Sequence, residues 1–168
     1  MKNGFLSMII TKEKPDYLYR KGVGMMVVNQ KKRIFVGKRI RNRSDLWQMP
    51  QGGLNVGEEE KIAAFRELKE ETGIVNAKII KESQDYYYYN LPYALQKKFW
   101  RGKYLGQRQK WFLLKFYGDL YEDVNLQNAM PEFSRFKWVD VDTLLNSVVS
   151  FKKKMYEQIV NEFEEFLK

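Results

Sequence analysis

The chain contains neither cysteine nor histidine. Without thiols it forms no disulfide, offers no thiolate metal site and has no cysteine nucleophile. Without imidazole it lacks the commonest general base and the usual ligand of catalytic zinc. Acid–base chemistry must therefore rest on carboxylates, lysine or tyrosine, and any metal must accept oxygen ligands, as magnesium and manganese do. Long apolar runs are also missing. An early apolar stretch, Phe5 to Ile10, is broken by Ser7 and followed by Lys12, Glu13 and Lys14. It is too short for a secretory core or a membrane span. No repeat and no low-complexity linker divides the chain. The expectation is a cytoplasmic protein, with residues 1–15 as a loose extension and residues 16–168 as one domain ending in a helix.

What is present is a basic chain with material for a core. Of 168 residues, 44% are hydrophobic and 15% aromatic, and one core at this length buries roughly two-thirds of the unfolded surface. The net charge is +9, from 30 Lys+Arg against 21 Asp+Glu, which favours a polyanionic partner. The distribution is uneven. Glu58 to Glu71 holds six acids and three bases, a net of −3, so the remainder carries +12. An acidic island in a basic body suits a metal in the island and a phosphate chain around it.

Residues 22–28 (GVGMMVV) read as a buried strand, 29–32 as a polar turn and 34–39 as the returning strand of a hairpin. A basic loop with Arg41 and Arg43 leads to a glycine-bearing loop at 51–57. A helix is expected from about Glu58 to Thr72, ended by Gly73. Residues 77–89 look extended, 92–99 suit a short helix, and 110–117 and 136–139 suit strands. Ser150 is a plausible cap for a last helix, in which Phe151, Met155, Ile159, Phe163 and Phe166 recur at three- and four-residue spacing. Strands alternating with helices predict a mixed α/β domain.

The chemistry concentrates in Gly52 to Ile74, GGLNVGEEEKIAAFRELKEETGI. At about 100° per residue, Glu67, Glu70 and Glu71 share one helix face. Ala63 and Ala64 flank that face, and Ile62, Phe65 and Leu68 are expected to pack on the core. Three like charges on one face repel, and a divalent cation would relieve them. Glu58 can pair with Arg66 and anchor the loop.

Gly52, five residues, Glu58, seven residues, Arg66-Glu67-Leu68, one residue, Glu70-Glu71, one residue, Gly73-Ile74 resembles the Nudix box in full. Outside the box the chain resembles the bacterial Nudix branch of RNA 5′-pyrophosphohydrolases and dinucleoside polyphosphate hydrolases. The residues concerned are Tyr19-Arg20 before Gly22, Trp47 to Gly53, Gly106 to Phe112, Pro131-Glu132-Phe133 and Ser150-Phe151-Lys152. Val56 departs from the proline of many relatives. The resemblance implies an α/β Nudix fold, a mixed sheet sandwiched between helices (an α/β/α sandwich). It implies Glu67 and Glu71 as ligands of Mg2+ or Mn2+, with the Gly52 carbonyl and Glu70 as further candidates. Glu70 is the favoured proton acceptor for the attacking water, and Glu132 is a rival base or further ligand.

The substrate side is basic. Seven bases and no acid lie between Lys31 and Arg43, and six bases and no acid between Lys97 and Lys110. Lys110 is a candidate polyphosphate contact, and by resemblance Arg20 and Arg39 lie near an RNA 5′ end. Tyr86 to Tyr89 alternate across a strand, so one pair is expected in the core and the other, with Tyr89, is free to stack on a base. Lys152, Lys153 and Lys154 occupy the first turn of the last helix, where the dipole disfavours cations. That broken rule makes Lys152, with Val149 beside it, a candidate RNA contact. The expected activity is removal of pyrophosphate from 5′-triphosphate RNA, with hydrolysis of diadenosine polyphosphates as the alternative. A Nudix domain that binds RNA or nucleotide without cutting is the other class, and the complete set of box glutamates speaks against it. No membrane or DNA partner is expected, and the oligomeric state stays open.

Overall fold

The computed structural model describes residues 15–41, 44–128 and 130–168. The expected extension, apart from Pro15, and Asn42 and Arg43 of the basic loop fall outside the described residues. Among the described residues seven strands form one mixed sheet: β1 Tyr19–Val28, β2 Ile34–Arg39, β3 Gln51–Gly53, β4 Ala77–Glu82, β5 Tyr87–Asn90, β6 Gly106–Phe116 and β7 Phe133–Val139. The order is β4-β6-β1-β2-β7, with β3 on β1 and β5 on β6. The described residues also form four α-helices, α1 Glu60–Thr72, α2 Tyr93–Gln96, α3 Val141–Ser147 and α4 Ser150–Glu162. Among the described residues no helix is long and apolar enough to cross a membrane.

β1 and β6 run parallel at the centre, in register from Tyr19↔Gly106 to Val28↔Lys115. Both faces of this pair are covered, which is why residues 22–28 read as a continuous apolar run. Val23, Met25 and Val27 of β1 meet Phe112 and Leu114 of β6 under Ala63, Ala64 and Leu68 of α1. On the other face Met26, Trp111 and Leu113 pack with Met155, Tyr156 and Ile159 of α4. The α/β/α sandwich follows from period-two alternation in strands that are buried on both sides.

Several expectations change. Ile62 and Phe65 are 57% and 42% exposed, because α1 docks through its two alanines and Leu68, which lets the helix backbone approach the sheet. Helix α1 starts at Glu60, since Glu58 is drawn away to accept a hydrogen bond from Asn55 N. Ser150 lies inside α4, and Val149 stands at the cap with no side-chain cap bond. Helix α3 was not foreseen. Asp140 caps it by accepting from Thr143 N at 2.8 Å, and its Ser147 carbonyl receives Trp47 N, which fixes the loop entering β3. Among the four tyrosines, Tyr89 is the buried one and shares its face with Tyr87 against the α4 core. The core-side pair therefore includes Tyr89, and Tyr86 and Tyr88 take the opposite face.

The central pair tolerates no added bulk at Gly24. A Cβ there would stand 2.3 Å from the Trp111 ring. Gly24→Ala should lower unfolding free energy by about 1–3 kcal/mol or more through overpacking. Urea denaturation of the two proteins measures it; equal stability would show that Trp111 shifts freely.

Candidate functional site

The site grows from the way β3 is held against α1. Arg66 donates from Nε to Glu58 at 2.7 Å and from Nη2 to Glu58 at 2.8 Å and to the Gly53 carbonyl at 2.9 Å. Its Nη1 reaches Glu67 at 2.7 Å and Glu70 at 3.2 Å. Helix, loop and strand are thus tied to one guanidinium, as the expected Glu58–Arg66 pair requires. The bidentate pairing holds the Glu58 carboxyl down at about 2 and pushes the Arg66 guanidinium up. Gly73 ends α1 in a left-handed conformation, φ 70°, with its N–H on the Lys69 carbonyl.

With β3 in place, its residues alternate between two environments. A Cβ on Gly52 would fall 2.0 Å from the Glu67 carboxyl carbon, and one on Gly53 would fall 2.2 Å from the Arg20 guanidinium. Both glycines are therefore gaps through which a charged side chain touches the strand. Gln51 N donates to Glu71 at 3.1 Å on one side. The Gln51 side chain accepts from Lys152 Nζ at 3.1 Å on the other. The result is a cavity of about 370 Å³ with Glu67, Glu71 and Glu132 in its wall and Arg20, Arg39 and Lys152 among its cations. A second cavity of about 880 Å³ adjoins it, sharing Arg39, Phe151 and Lys152 and adding Trp47 and Val149.

Burial sets the electrostatics. Glu71 is 6% exposed, and desolvation pushes its carboxyl well above the ordinary 4.5, aided by the nearby charges of Glu132 and Glu67 and opposed by the Gln51 bond and Arg39. Glu67 is raised mainly by desolvation, against the pull of Arg66. Lys152 is 3% exposed as a residue, and its amine is lowered to about 7, by burial first and then by Arg39, with Glu71 opposing. It also stands 5.2 Å over the Tyr89 ring.

The donor set fits a hard divalent cation. Among the described residues no Lys or Arg is ion-paired to Glu71, so its buried charge is poorly compensated. No group of three or more acidic side chains among them is gathered tightly enough to enclose an ion alone. Two carboxylates, with substrate and solvent oxygens completing the shell, are the usual manner of holding magnesium. The Gly52 carbonyl faces Gly22 on β1, 2.7 Å from where a Cβ would stand there.

The predicted residues separate into two groups. Glu67, Glu71, Glu132, Arg20, Arg39, Tyr89 and Lys152 line the first cavity, and Val149 lines the second. Glu132 is placed by β2, its carboxylate 3.3 Å from Arg39. Glu70 does not line the first cavity; its side chain is 57% exposed and paired with Arg66. Lys110 lies outside both cavities on the α1 face, 3.3 Å from the Gln84 carbonyl and 5.3 Å from the Tyr86 ring. Gln48, Gln51, Gln107 and Trp100 were missed, yet all four line the first cavity. Gln48, Gln51 and Gln107 lie inside the segments that carry the family resemblance, and the glutamines at 107 and 109 alternate along β6 onto one face; Trp100 had no such signal.

A model of the NUDIX domain matches residues 18–159. The chain is 48% identical over 149 residues to an RNA pyrophosphohydrolase of Orientia tsutsugamushi (strain Boryong), covering 89% of this chain and 92% of the relative. It is 45% identical over 157 residues to the RNA pyrophosphohydrolase of Rickettsia conorii, covering 94% and 97%. A crystal structure of a C. elegans Ap4A hydrolase binary complex shares the fold at TM-score 0.63 and 19% identity, over 87% of this chain and 98% of that one. The E. coli dihydroneopterin triphosphate pyrophosphohydrolase does so at TM-score 0.62 and 22% identity, over 86% and 98%.

The raised Glu71 carboxyl has a stability consequence in metal-free protein. Folding favours its protonated form, so the ionised group costs stability once the pH exceeds the ordinary 4.5, and the cost vanishes as the pH falls below that value. With chelator present, Glu71→Gln should raise the thermal midpoint by a few degrees near about pH 7 and leave it unchanged near about pH 4. Added magnesium should raise the wild-type midpoint and move that of the variant much less. A variant less stable at both pH values would show that the carboxylate is satisfied without metal.

Proposed function

This chain belongs to the NUDIX hydrolases, and from that premise we propose that it converts 5′-triphosphate RNA to 5′-monophosphate RNA, releasing pyrophosphate. The observation that carries the reading is the cavity itself, where carboxylates for a metal and cations for a phosphate chain face one another across β3. The two RNA pyrophosphohydrolases at 45% and 48% identity support the RNA substrate. A cytoplasmic setting belongs to the same proposal, since 5′-triphosphate ends arise where transcripts are made.

In this reading Glu67 and Glu71 would hold Mg2+ or Mn2+, and the bound ion would supply positive charge against the charge that builds on the leaving pyrophosphate. Arg20 and Lys152 bind the polyphosphate. Arg39, Tyr89 and Val149 meet the first nucleotides, with Tyr89 supporting from beneath rather than stacking openly. Water attacks the α-phosphorus, the bond to the bridging α,β oxygen breaks, and the pyrophosphate leaves with the electron pair. The water's proton passes to a carboxylate. Glu132 is the better placed acceptor, because it lines the cavity whereas Glu70 faces solvent beside Arg66. Dinucleoside polyphosphates are the second reading. Two adjoining cavities with shared walls suit a polyphosphate that carries a nucleoside at each end.

Glu132→Gln should lower kcat on 5′-triphosphate RNA by about 100-fold or more, the usual weight of a general base, while Glu70→Gln should lower it far less. A reversed ranking returns the proton to Glu70. Rates on a diadenosine polyphosphate, measured beside the RNA with magnesium and a chelator control, decide between the two substrates; faster dinucleotide turnover would displace the RNA reading.

A further inference from the structure

Three buried side chains of β6 form a run of hydrogen bonds with a single direction. Gln107, Gln109 and Trp111 alternate onto the α4 face of the sheet, and all are less than 5% exposed. Trp111 donates from Nε1 to Gln109 Oε1 at 3.1 Å. Gln109 in turn donates from Nε2 to Gln107 Oε1 at 2.7 Å. An indole nitrogen has a hydrogen to give and no lone pair to offer. It holds the Gln109 oxygen towards Trp111, and the Gln109 nitrogen is left to face Gln107. Gln107 answers with its oxygen, so its amide nitrogen is the end left for the cavity that the residue lines. An amide that could otherwise flip is set as a donor.

The neighbouring strand is built around this run. The register puts Gly22 beside Gln109 and Gly24 beside Trp111. A Cβ on Gly22 would stand 3.0 Å from Gln107 Oε1, and one on Gly24 would stand 2.3 Å from the indole. One row nearer the cavity, Arg20, Gln107 and Tyr89 lie side by side across β1, β6 and β5. Burying two carboxamides is costly unless their bonds are made. Apolar residues would fill the same space without that requirement.

We propose that Trp111, Gln109 and Gln107 form a hydrogen-bond relay of fixed polarity whose cavity end, Gln107 Nε2, donates to a phosphate oxygen of the bound polyphosphate. Gln107 is the substrate-binding donor, and Gln109 and Trp111 are positioning residues. The ligand class follows from the neighbours. Arg20 and Lys152 line the same cavity and can only donate, so an anionic acceptor bound there would meet three donor groups. The identity of the ligand rests on the pyrophosphohydrolase reading, whereas the polarity rests on the relay alone.

The probe is inorganic pyrophosphate, titrated into the full chain with magnesium by calorimetry. Gln107→Glu keeps the oxygen that accepts from Gln109 and removes the donor. Gln107→Met removes the donor without adding charge. Both should weaken pyrophosphate binding at least tenfold, about 1.4 kcal/mol, and raise KM on 5′-triphosphate RNA more than they lower kcat. Trp111→Phe removes the hydrogen that sets the polarity and should weaken binding a few-fold. In the Gln107→Met background it should have no further effect, because both changes act through one bond. Gln109→Leu carries the same expectation should Trp111→Phe fail to fold. Unchanged affinity in Gln107→Met would overturn the donor assignment, and additive losses in the double variant would overturn the relay. Binding is read without turnover. Relay effects in a protein that leaves RNA untouched would therefore refute the substrate reading and sustain this one.

Discussion

The planar guanidinium of Arg66 is the joint on which the site is assembled. It meets Glu58 through two nitrogens, the Gly53 carbonyl through a third contact, and Glu67 and Glu70 through Nη1. A lysine offers a point charge and could not hold loop, strand and helix at fixed angles at once. Everything downstream depends on that closure. With β3 against α1, Gly52 lies on the Glu67 carboxyl, Gln51 N meets Glu71, and the Gln51 side chain reaches Lys152. The same contact lessens the repulsion between Glu67 and Glu70.

β3 then acts as a partition three residues wide. Carboxylates approach it from α1, and Arg20 and Lys152 approach it from the other side. Neither set is comfortable alone: burial raises Glu67 and Glu71 and lowers Lys152. A cation would answer the first set and a phosphate chain the second, so on the proposed reading a metal-bound polyphosphate would relieve both together. Charges fixed in this way by the fold need little reorganisation when the substrate's own charge shifts. The two central glycines of β1 serve the same end, since they leave space for the Gln107–Trp111 run that reaches the cavity floor.

Much of this was legible from local pattern. The 22–39 hairpin, the end of α1 at Gly73 and the buried row Met155, Ile159 and Phe163 follow from apolar period and turn chemistry. Legibility failed where docking chose between equivalent faces. Ile62 and Phe65 are large apolar side chains of α1, yet the helix leaves them exposed and buries Ala63, Ala64 and Leu68, a face whose two alanines allow close backbone approach. Tyr86 to Tyr89 alternate either way round, and only the pairing of β5 with β6 decided that Tyr89 faces the α4 core. Lys110 sits in an odd–even register with Gln109 and Trp111 and so is carried to the α1 face.

The sequence by itself determined the kind of chemistry: carboxylates without histidine or cysteine, a helix bearing glutamates at three- and four-residue spacing, and a basic remainder suited to phosphate. These are properties of residue type and near-neighbour geometry, which any helix at about 100° per residue would express. The tertiary structure decided which of those groups meet. Glu132 and Arg39 are far apart in the chain and adjacent in the cavity, Lys152 is turned inwards from a helix start that local rules disfavour, and Glu70 is left facing water. Such choices depend on how strands pair and how helices dock on them, and a one-residue change of register or a modest rotation of α1 would reverse them.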